Sequence, residues 1–343
     1  MINGVPRILI VRLSAIGDVV RVLPALHTLR NRYPNAQIDW AIEPKSSEVI
    51  SGHPALDQIH LFERSGDFKA DWRAFRALCK TIRNQRYDWV LDFHGILKTG
   101  ILTRASGAKF RYGFARPRSQ EGSFLFTNRK AALPSRFMNR IEENLELCKL
   151  VEAKCHSLDV VLDIPESVDD TIDAYFNRTF HGAKKVIAIH APVDRPEKQW
   201  PLEYFGALAD MIMRDGRYEA LLTYGPGQRD IVAELLEHTH GKPHVAPETP
   251  DLKHYAALVE QCDLYFGGDT GPMHIASAMG TPVVAVFGGT HPMQHAPLRP
   301  PNRVLYAGPE IPVRSIDKEN ADALFRQITP EMAYDACVEM LHS

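Results

Sequence analysis

Residues 266–282 read Phe-Gly-Gly-Asp-Thr-Gly-Pro-Met-His-Ile-Ala-Ser-Ala-Met-Gly-Thr-Pro, and they constrain the fold more than any other stretch. An apolar run, Leu264 to Phe266, meets a glycine-rich bend, and a helix starts at once. Asp269 or Thr270 is placed to cap that helix, and Pro272 suits its first turn, where no N–H is needed. Open amides at such a helix start attract phosphate, and glycines let a phosphate approach the backbone. His274 falls one turn in, close enough to point the same way. A second helix start of this kind lies at Ser14-Ala-Ile-Gly-Asp (14–18). Two such units, one per half, imply two nucleotide-fold domains facing each other across a cleft.

The rest of the chain fits that plan. In the first half, strands are expected at 7–13, 37–42 and 89–92, with helices at 18–32, 71–85 and 139–151. The last of these helices has apolar residues at Ile141, Leu145, Leu147 and Leu150. Alternation of this kind argues for a doubly wound parallel sheet with helices on both faces. The polar stretch 162–169, with Pro165, is the expected linker. The pattern then restarts, with strands at 185–190, 220–224, 263–267 and 283–287 and helices at 202–214, 228–238 and 252–261. The expected domains are therefore 1–165 and 166–329. A final helix within 330–343 is left free to pack back on the first domain.

At 343 residues, two domains are comfortable, and 45% hydrophobic with 24% charged residues is ordinary for a globular chain. No apolar run approaches the roughly 20 residues that span a bilayer, and the N-terminus has no signal-peptide pattern. Five scattered cysteines without a CxxC pair point to a reducing cytoplasm and no structural zinc. The net charge of −2 hides an asymmetry. Residues 1–165 carry 25 basic and 17 acidic side chains, a balance of +8; residues 166–343 carry 15 and 25, a balance of −10. Between His94 and Arg140 ten basic residues face only Glu121. An anionic partner for the first half follows, with a merely solvated face as the alternative. Nucleic acid fits poorly, because aromatic residues are not interleaved as in single-strand binders.

Three groups of residues can carry chemistry. Asp18 starts the first helix beyond the end of the first strand, the edge where doubly wound sheets bind ligands. It can accept a proton from an attacking hydroxyl, or simply complement the helix dipole. Lys198, in Arg-Pro-Glu-Lys-Gln-Trp-Pro (195–201), can reach a diphosphate and stabilise a leaving group; a surface loop lysine is the bland reading. Asp269, Thr270, Gly271 and His274 form the strongest local signal, although His274 could equally be a helix histidine satisfied by backbone. The junction is not GxGxxG, which argues against a dinucleotide dehydrogenase. His291 and His295 are four apart but flanked by Pro292 and Pro297, and neither HExxH nor GxSxG occurs.

Together these motifs resemble the lipopolysaccharide heptosyltransferases of glycosyltransferase family 9. The likeness runs through Arg-Leu-Ser-Ala-Ile-Gly-Asp-Val-Val-Arg-Val-Leu-Pro-Ala-Leu (12–26), Tyr-Asp-Trp-Val-Leu-Asp-Phe-His-Gly-Ile-Leu-Lys-Thr (87–99), Lys-Gln-Trp-Pro (198–201) and Gly-Asp-Thr-Gly-Pro-Met-His-Ile-Ala (268–276). Phe-Leu-Phe-Thr-Asn-Arg-Lys (124–130) looks most like the enzyme that adds the first heptose to the deoxyoctulosonate (Kdo) of the inner core. The resemblance implies the GT-B fold, an α/β pair of Rossmann-like domains, and inverting transfer without metal or other cofactor. It implies ADP-L-glycero-D-manno-heptose held by Asp269, Thr270, Gly271, His274 and Gln228, with Lys198 neutralising the phosphates and Asp18 as general base. The anionic Kdo–lipid A acceptor would be held by Ser14, Lys98, Arg116 and Arg118, at the cytoplasmic face of the inner membrane, where peripheral contact stays open. The chain departs from the pattern in four places. Arg21 stands where histidine is common, and His94 where glutamine is usual. Gln228 replaces an acidic residue, and 191–194 lacks the usual hydroxyls. Another acceptor or donor within the family, a sugar-nucleotide epimerase, and a non-catalytic binding protein are the competing readings.

Overall fold

In the computed structural model, which describes residues 5–180, 182, 184–311 and 316–342, the β-branched runs form strands buried on both faces, as parallel sheets require. The chain divides into two compact units, Met1–Asp163 and Ile164–Ser343. The dividing point lies within the polar stretch expected to be the linker. That linker is shorter than expected, because a helix begins at Glu166.

The first unit runs β1 (Arg7–Val11), α1 (Ile16–Val20), α2 (Leu23–Arg32), β2 (Gln37–Ile42), α3 (Pro44–Ser47), β3 (Gln58–Leu61) and α4 (Phe68–Asn84). It continues with β4 (Trp89–Asp92), α5 (Leu97–Ala105), β5 (Phe110–Phe114), β6 (Arg129–Ala131) and α6 (Arg140–Lys149). All six strands are parallel, in the order β3-β2-β1-β4-β5-β6. Strand order reverses between β1 and β4, and a crevice opens outside the carboxyl ends of strands at such a reversal. Leu9, Val11 and Val90 meet Phe75, Leu78 and Ile82 of α4 and Leu102 of α5 in one apolar cluster.

Two local departures from expectation have physical causes. The helix expected at 18–32 is two helices, because Pro24 has no N–H to continue α1 and instead sits in the first turn of α2. In α6 the buried positions are Ile141, Glu143, Asn144, Leu147 and Cys148, while Leu150 is exposed. Asn144 is inside because its amide donates to the Arg21 carbonyl at 3.0 Å.

The second unit begins with α7 (Glu166–Thr179), β7 (Lys185–His190), α8 (Leu202–Asp215), β8 (Tyr218–Thr223), α9 (Arg229–Glu237), β9 (His244–Val245) and α10 (Leu252–Glu260). Then come β10 (Leu264–Gly268), α11 (Gly271–Met279), β11 (Val283–Phe287), α12 (Pro292–His295), β12 (Asn302–Tyr306), α13 (Lys318–Phe325) and α14 (Pro330–His342). Its parallel sheet, β12-β11-β10-β7-β8-β9, repeats the same winding, with the reversal between β7 and β10. The closing helix α14, which the sequence left free to return to the first domain, belongs to this unit. It packs on α8 and on β10, β11 and β12, and buries Ala333, Ala336 and Cys337 in the same core as Trp200, Phe205 and Phe266.

Candidate active site

In the first unit, β1 ends at Val11 and the next residues leave the ladder. Leu13 is fully buried and Ser14 half-buried in the loop before α1. Asp18 follows in the first turn of α1, at the carboxyl end of β1 beside the strand-order reversal. Its carboxylate is held by two arginines: Arg12 forms an ion pair with one oxygen, and Arg21 Nη1 donates to the other at 3.0 Å. Both guanidinium groups are nearly buried, whereas the Asp18 side chain keeps 35% of its surface exposed. Burial pulls the Arg12 guanidinium down to about 10, with Asp18 opposing that shift, so it stays charged at neutral pH. Asp18 is therefore a fixed, partly open carboxylate.

The loop after β4 is organised by a residue that sequence reasoning passed over. Asp92, 1% exposed, accepts hydrogen bonds from the amides of His94 and Gly95 and from Thr99 Oγ1, all at 3.0 Å. Burial pushes its carboxyl up to about 6 against those bonds. A strand-end aspartate two residues before His-Gly is the available sequence signal, since Gly95 takes φ +75° and closes the turn. His94 Nδ1 accepts from the Leu13 amide at 3.4 Å. Burial first, and then the positive charge of Arg12, lowers its pKa to about 3. His94 is thus neutral near pH 7, with its proton on Nε2.

The remaining basic residues divide into two places. Lys98 lies 3.6 Å from Glu43 and over the Phe62 ring at 5.2 Å. Arg116 and Arg118 line a cavity of about 250 Å³ together with Arg136, Arg140 and Glu143. Arg116 is exposed, 4.2 Å above the Phe124 ring. Arg118 is largely committed to the protein: Nε donates to Glu143 at 2.6 Å, Nη1 to the His94 carbonyl at 3.2 Å, and Nη2 to the Phe93 carbonyl at 3.5 Å. Glu143, 1% exposed, also accepts from Arg140 at 2.6 Å. A charged residue on the buried stripe of α6 was the overlooked sign of this network. One carboxylate against four guanidinium groups leaves the cavity suited to an anion.

In the second unit the reversal between β7 and β10 carries the other constellation. Lys198, in the loop after β7, donates to Asp269 Oδ2 at 2.7 Å and to its carbonyl at 3.0 Å. Thr290, after β11, donates to the same carboxylate at 2.9 Å, and His274 Nε2 lies 3.8 Å from its other oxygen. His295 approaches to 4.0 Å. Asp269, only 3% exposed, ties together three loops that follow adjacent strands. Thr270 occupies the N-cap position of α11 without a side-chain cap bond, and Gly271 and Pro272 form the first turn. Gln228, at the start of α9, accepts from the Gly225 amide at 3.0 Å through its side-chain oxygen, so part of its amide closes its own turn.

The glycines here also allow close approach within the protein itself. A Cβ on Gly267 would stand 2.9 Å from the His190 carbonyl oxygen, and one on Gly268 would stand 3.3 Å from that of Lys198. One on Gly289 would sit 2.0 Å from the Glu197 carbonyl oxygen. These positions let neighbouring backbone close in and seat the lysine loop. Among the described residues no group of three or more His, Cys, Asp or Glu could hold a metal ion. His291 caps the short α12 by accepting from the Met293 amide at 3.1 Å.

With this geometry in place, comparison with known proteins decides the family. Residues 75–321 match the family model described as glycosyltransferase family 9 (heptosyltransferase). The chain belongs to this family. It is 26% identical over 330 residues to the lipopolysaccharide core heptosyltransferase OpsX of Haemophilus influenzae, covering 95% of this chain and 88% of that one. A family 9 glycosyltransferase structure from Veillonella parvula superposes with TM-score 0.84 at 22% identity, over 99% and 98% of the two chains. The Escherichia coli heptosyltransferase WaaC bound to ADP-2-deoxy-2-fluoro heptose gives TM-score 0.71 at 22% identity, over 97% and 99%. The family 9 member described here is a glycosyltransferase with the GT-B pair of Rossmann-like units.

Proposed function

We propose that this family 9 enzyme transfers L-glycero-D-manno-heptose from its ADP derivative to a Kdo residue of the lipopolysaccharide inner core, with inversion. In this reading the acceptor hydroxyl oxygen attacks the anomeric carbon while the bond from that carbon to the diphosphate oxygen breaks. Asp18 takes the hydroxyl proton, and ADP leaves carrying the electron pair of the broken bond. Lys198 and the amides opening α11 meet the charge that develops on the diphosphate. Asp269, fixed by Lys198 and Thr290, acts chiefly by positioning the lysine, with His274 behind it and Gln228 toward the nucleoside. Ser14, Lys98, Arg116 and Arg118 hold the acceptor. Its carboxylate and phosphates suit the arginine-lined cavity beside Arg116.

The observation that carries this reading is the placement of Asp18. In this chain, which belongs to a heptosyltransferase family, the partly exposed Asp18 carboxylate stands at the strand-order reversal of the first sheet. Two arginines fix it, so it need not be ordered at the moment of reaction. WaaC, of the same fold, binds a fluorinated ADP-heptose, which supports the donor assignment. OpsX acts on the lipopolysaccharide core, which supports the acceptor class.

The test is ADP release from ADP-heptose in EDTA, with and without Kdo–lipid A. Release that depends on Kdo–lipid A is the expected result. Release without acceptor would indicate hydrolysis or epimer chemistry instead. Silence in both arms, from protein with a sharp unfolding transition, would refute the donor–acceptor pair and direct attention to Arg21 and Gln228.

A further inference from the structure

Helix α4 presents a surface that the transfer reaction does not use. Its buried residues are Phe75, Leu78 and Ile82. Phe68 and Trp72, four residues apart on one side of the helix, are 83% and 51% exposed, with Trp72 stacked 6.1 Å from Phe75. Lys69, Arg73, Arg76, Lys80 and Arg83 are all exposed. At 3.6 residues per turn these five fall in one sector of about 80°, directly beside the two aromatics. The helix has a single acid, Asp71, which lies on the opposite flank and is engaged by Ser65 and Arg64. Among the described residues no carboxylate pairs with Lys69, Arg73, Arg76 or Lys80. The helix expected from sequence at 71–85 begins three residues earlier, at Phe68, which adds this exposed ring to its surface.

Two exposed aromatics next to an unneutralised basic stripe combine the two signals of interfacial membrane helices. Aromatic rings favour the headgroup boundary, and lysines and arginines are drawn to anionic lipid phosphates. The described helices include none long and apolar enough to cross a membrane, so contact of this kind is peripheral. We propose that α4 docks the protein on an anionic lipid bilayer. Phe68 and Trp72 enter the headgroup region, and Lys69, Arg73, Arg76 and Lys80 lie against lipid phosphates. The surface would serve a lipid-borne acceptor and so extends the proposed function, but its geometry does not depend on the identity of that acceptor.

The test uses the full chain and vesicles of phosphatidylcholine, alone or with phosphatidylglycerol, read by co-sedimentation and tryptophan emission. Trp40 and Trp200 are fully buried and Trp89 half-buried, so a blue shift on binding reports mainly Trp72. Binding to the anionic vesicles, weakened by salt, is expected. Arg73→Glu with Arg76→Glu should lower the partition coefficient by about 30-fold or more, and Phe68→Ser with Trp72→Ser by at least about tenfold. Turnover on a Kdo acceptor without lipid chains should be unchanged in both variants. Failure of that turnover in the wild type as well would indict the acceptor assignment, while the vesicle result would still judge the surface. The proposal is overturned if the wild type ignores anionic vesicles or if both variants bind as well as it does. Concentration-dependent self-association, lost in Phe68→Ser with Trp72→Ser and without vesicle binding, would also overturn it and make the face an interface between copies.

Discussion

Replacing Asp18 with asparagine separates the proposed chemical role of this carboxylate from the structural one its ion pairs show. The first is chemical. A general base removed without altering shape lowers turnover by about 10²–10⁴, or roughly 3–5 kcal/mol of barrier. The second is structural, because Arg12 and Arg21 lose the charge between them while their side chains remain only 9% and 8% exposed. Breaking a fully buried pair costs about 3–5 kcal/mol. Here asparagine keeps an acceptor oxygen and water reaches the 35% exposed carboxylate, so a cost of about 1–2 kcal/mol is expected for the first unit. That corresponds to a fall in its melting temperature of roughly 2–8 °C. Initial rates of ADP release and a thermal scan measure the two effects separately. ADP affinity should hold within about twofold, because the proposed donor residues belong to the second unit. A variant that loses the expected stability but turns over within about tenfold of wild type would show that Asp18 is a clamp for two arginines and not the base.

Lys198→Met removes the cation and keeps the length of the side chain. Asp269, 3% exposed, is left without its lysine, so the second unit should lose about 2–4 kcal/mol by urea unfolding and kcat/KM should fall at least about 10²-fold. Gly289→Ala drives a Cβ against the Glu197 carbonyl; donor KM should rise several-fold by kinetic titration if that contact seats the lysine loop, and unchanged kinetics would disprove it. His94 supplies a pH test. Its folded pKa of about 3 lies below the unfolded value, so the unfolded chain binds the proton first. Its contribution is complete above about pH 6.5 and lost as pH falls toward 3. In urea unfolding between pH 7 and 4, His94→Gln should flatten the pH dependence of the first unit, and an unaltered slope would contradict that assignment.

Much of this organisation was legible because it rests on local rules. Residues 185–190 and 283–287 were readable as strands from their apolar, β-branched runs, and both are buried along nearly their whole length. The helix starts at 14–18 and 266–282 announced themselves through turn chemistry, and both sit at the reversals of their sheets. What escaped notice depended on distant partners. Nothing local to Glu143 shows that two arginines, one of them 25 residues away, make its burial tolerable. Short strands such as β6 and β9, with three and two residues, carry too little periodicity to be recognised. The glycines of 267–268 were read only as room for a phosphate; that the carbonyl oxygens of His190 and Lys198 crowd them is a tertiary fact.

The boundary between Asp163 and Ile164 is also a boundary of charge. Summing side chains on either side gives the same +8 and −10 as before, so the near-neutral isoelectric point of about 6.7 describes neither unit. Near any negatively charged sheet of lipid, one unit is pulled and the other pushed, and the molecule experiences a torque before any specific contact forms. Such a particle arrives already turned, with α4 and the arginine-lined cavity on the half that is drawn in. Dissolved salt would weaken that alignment over the Debye length, about 8 Å at physiological strength. For the lipid-borne acceptor proposed above, orientation of this kind would limit the approaches the enzyme samples before it meets its substrate.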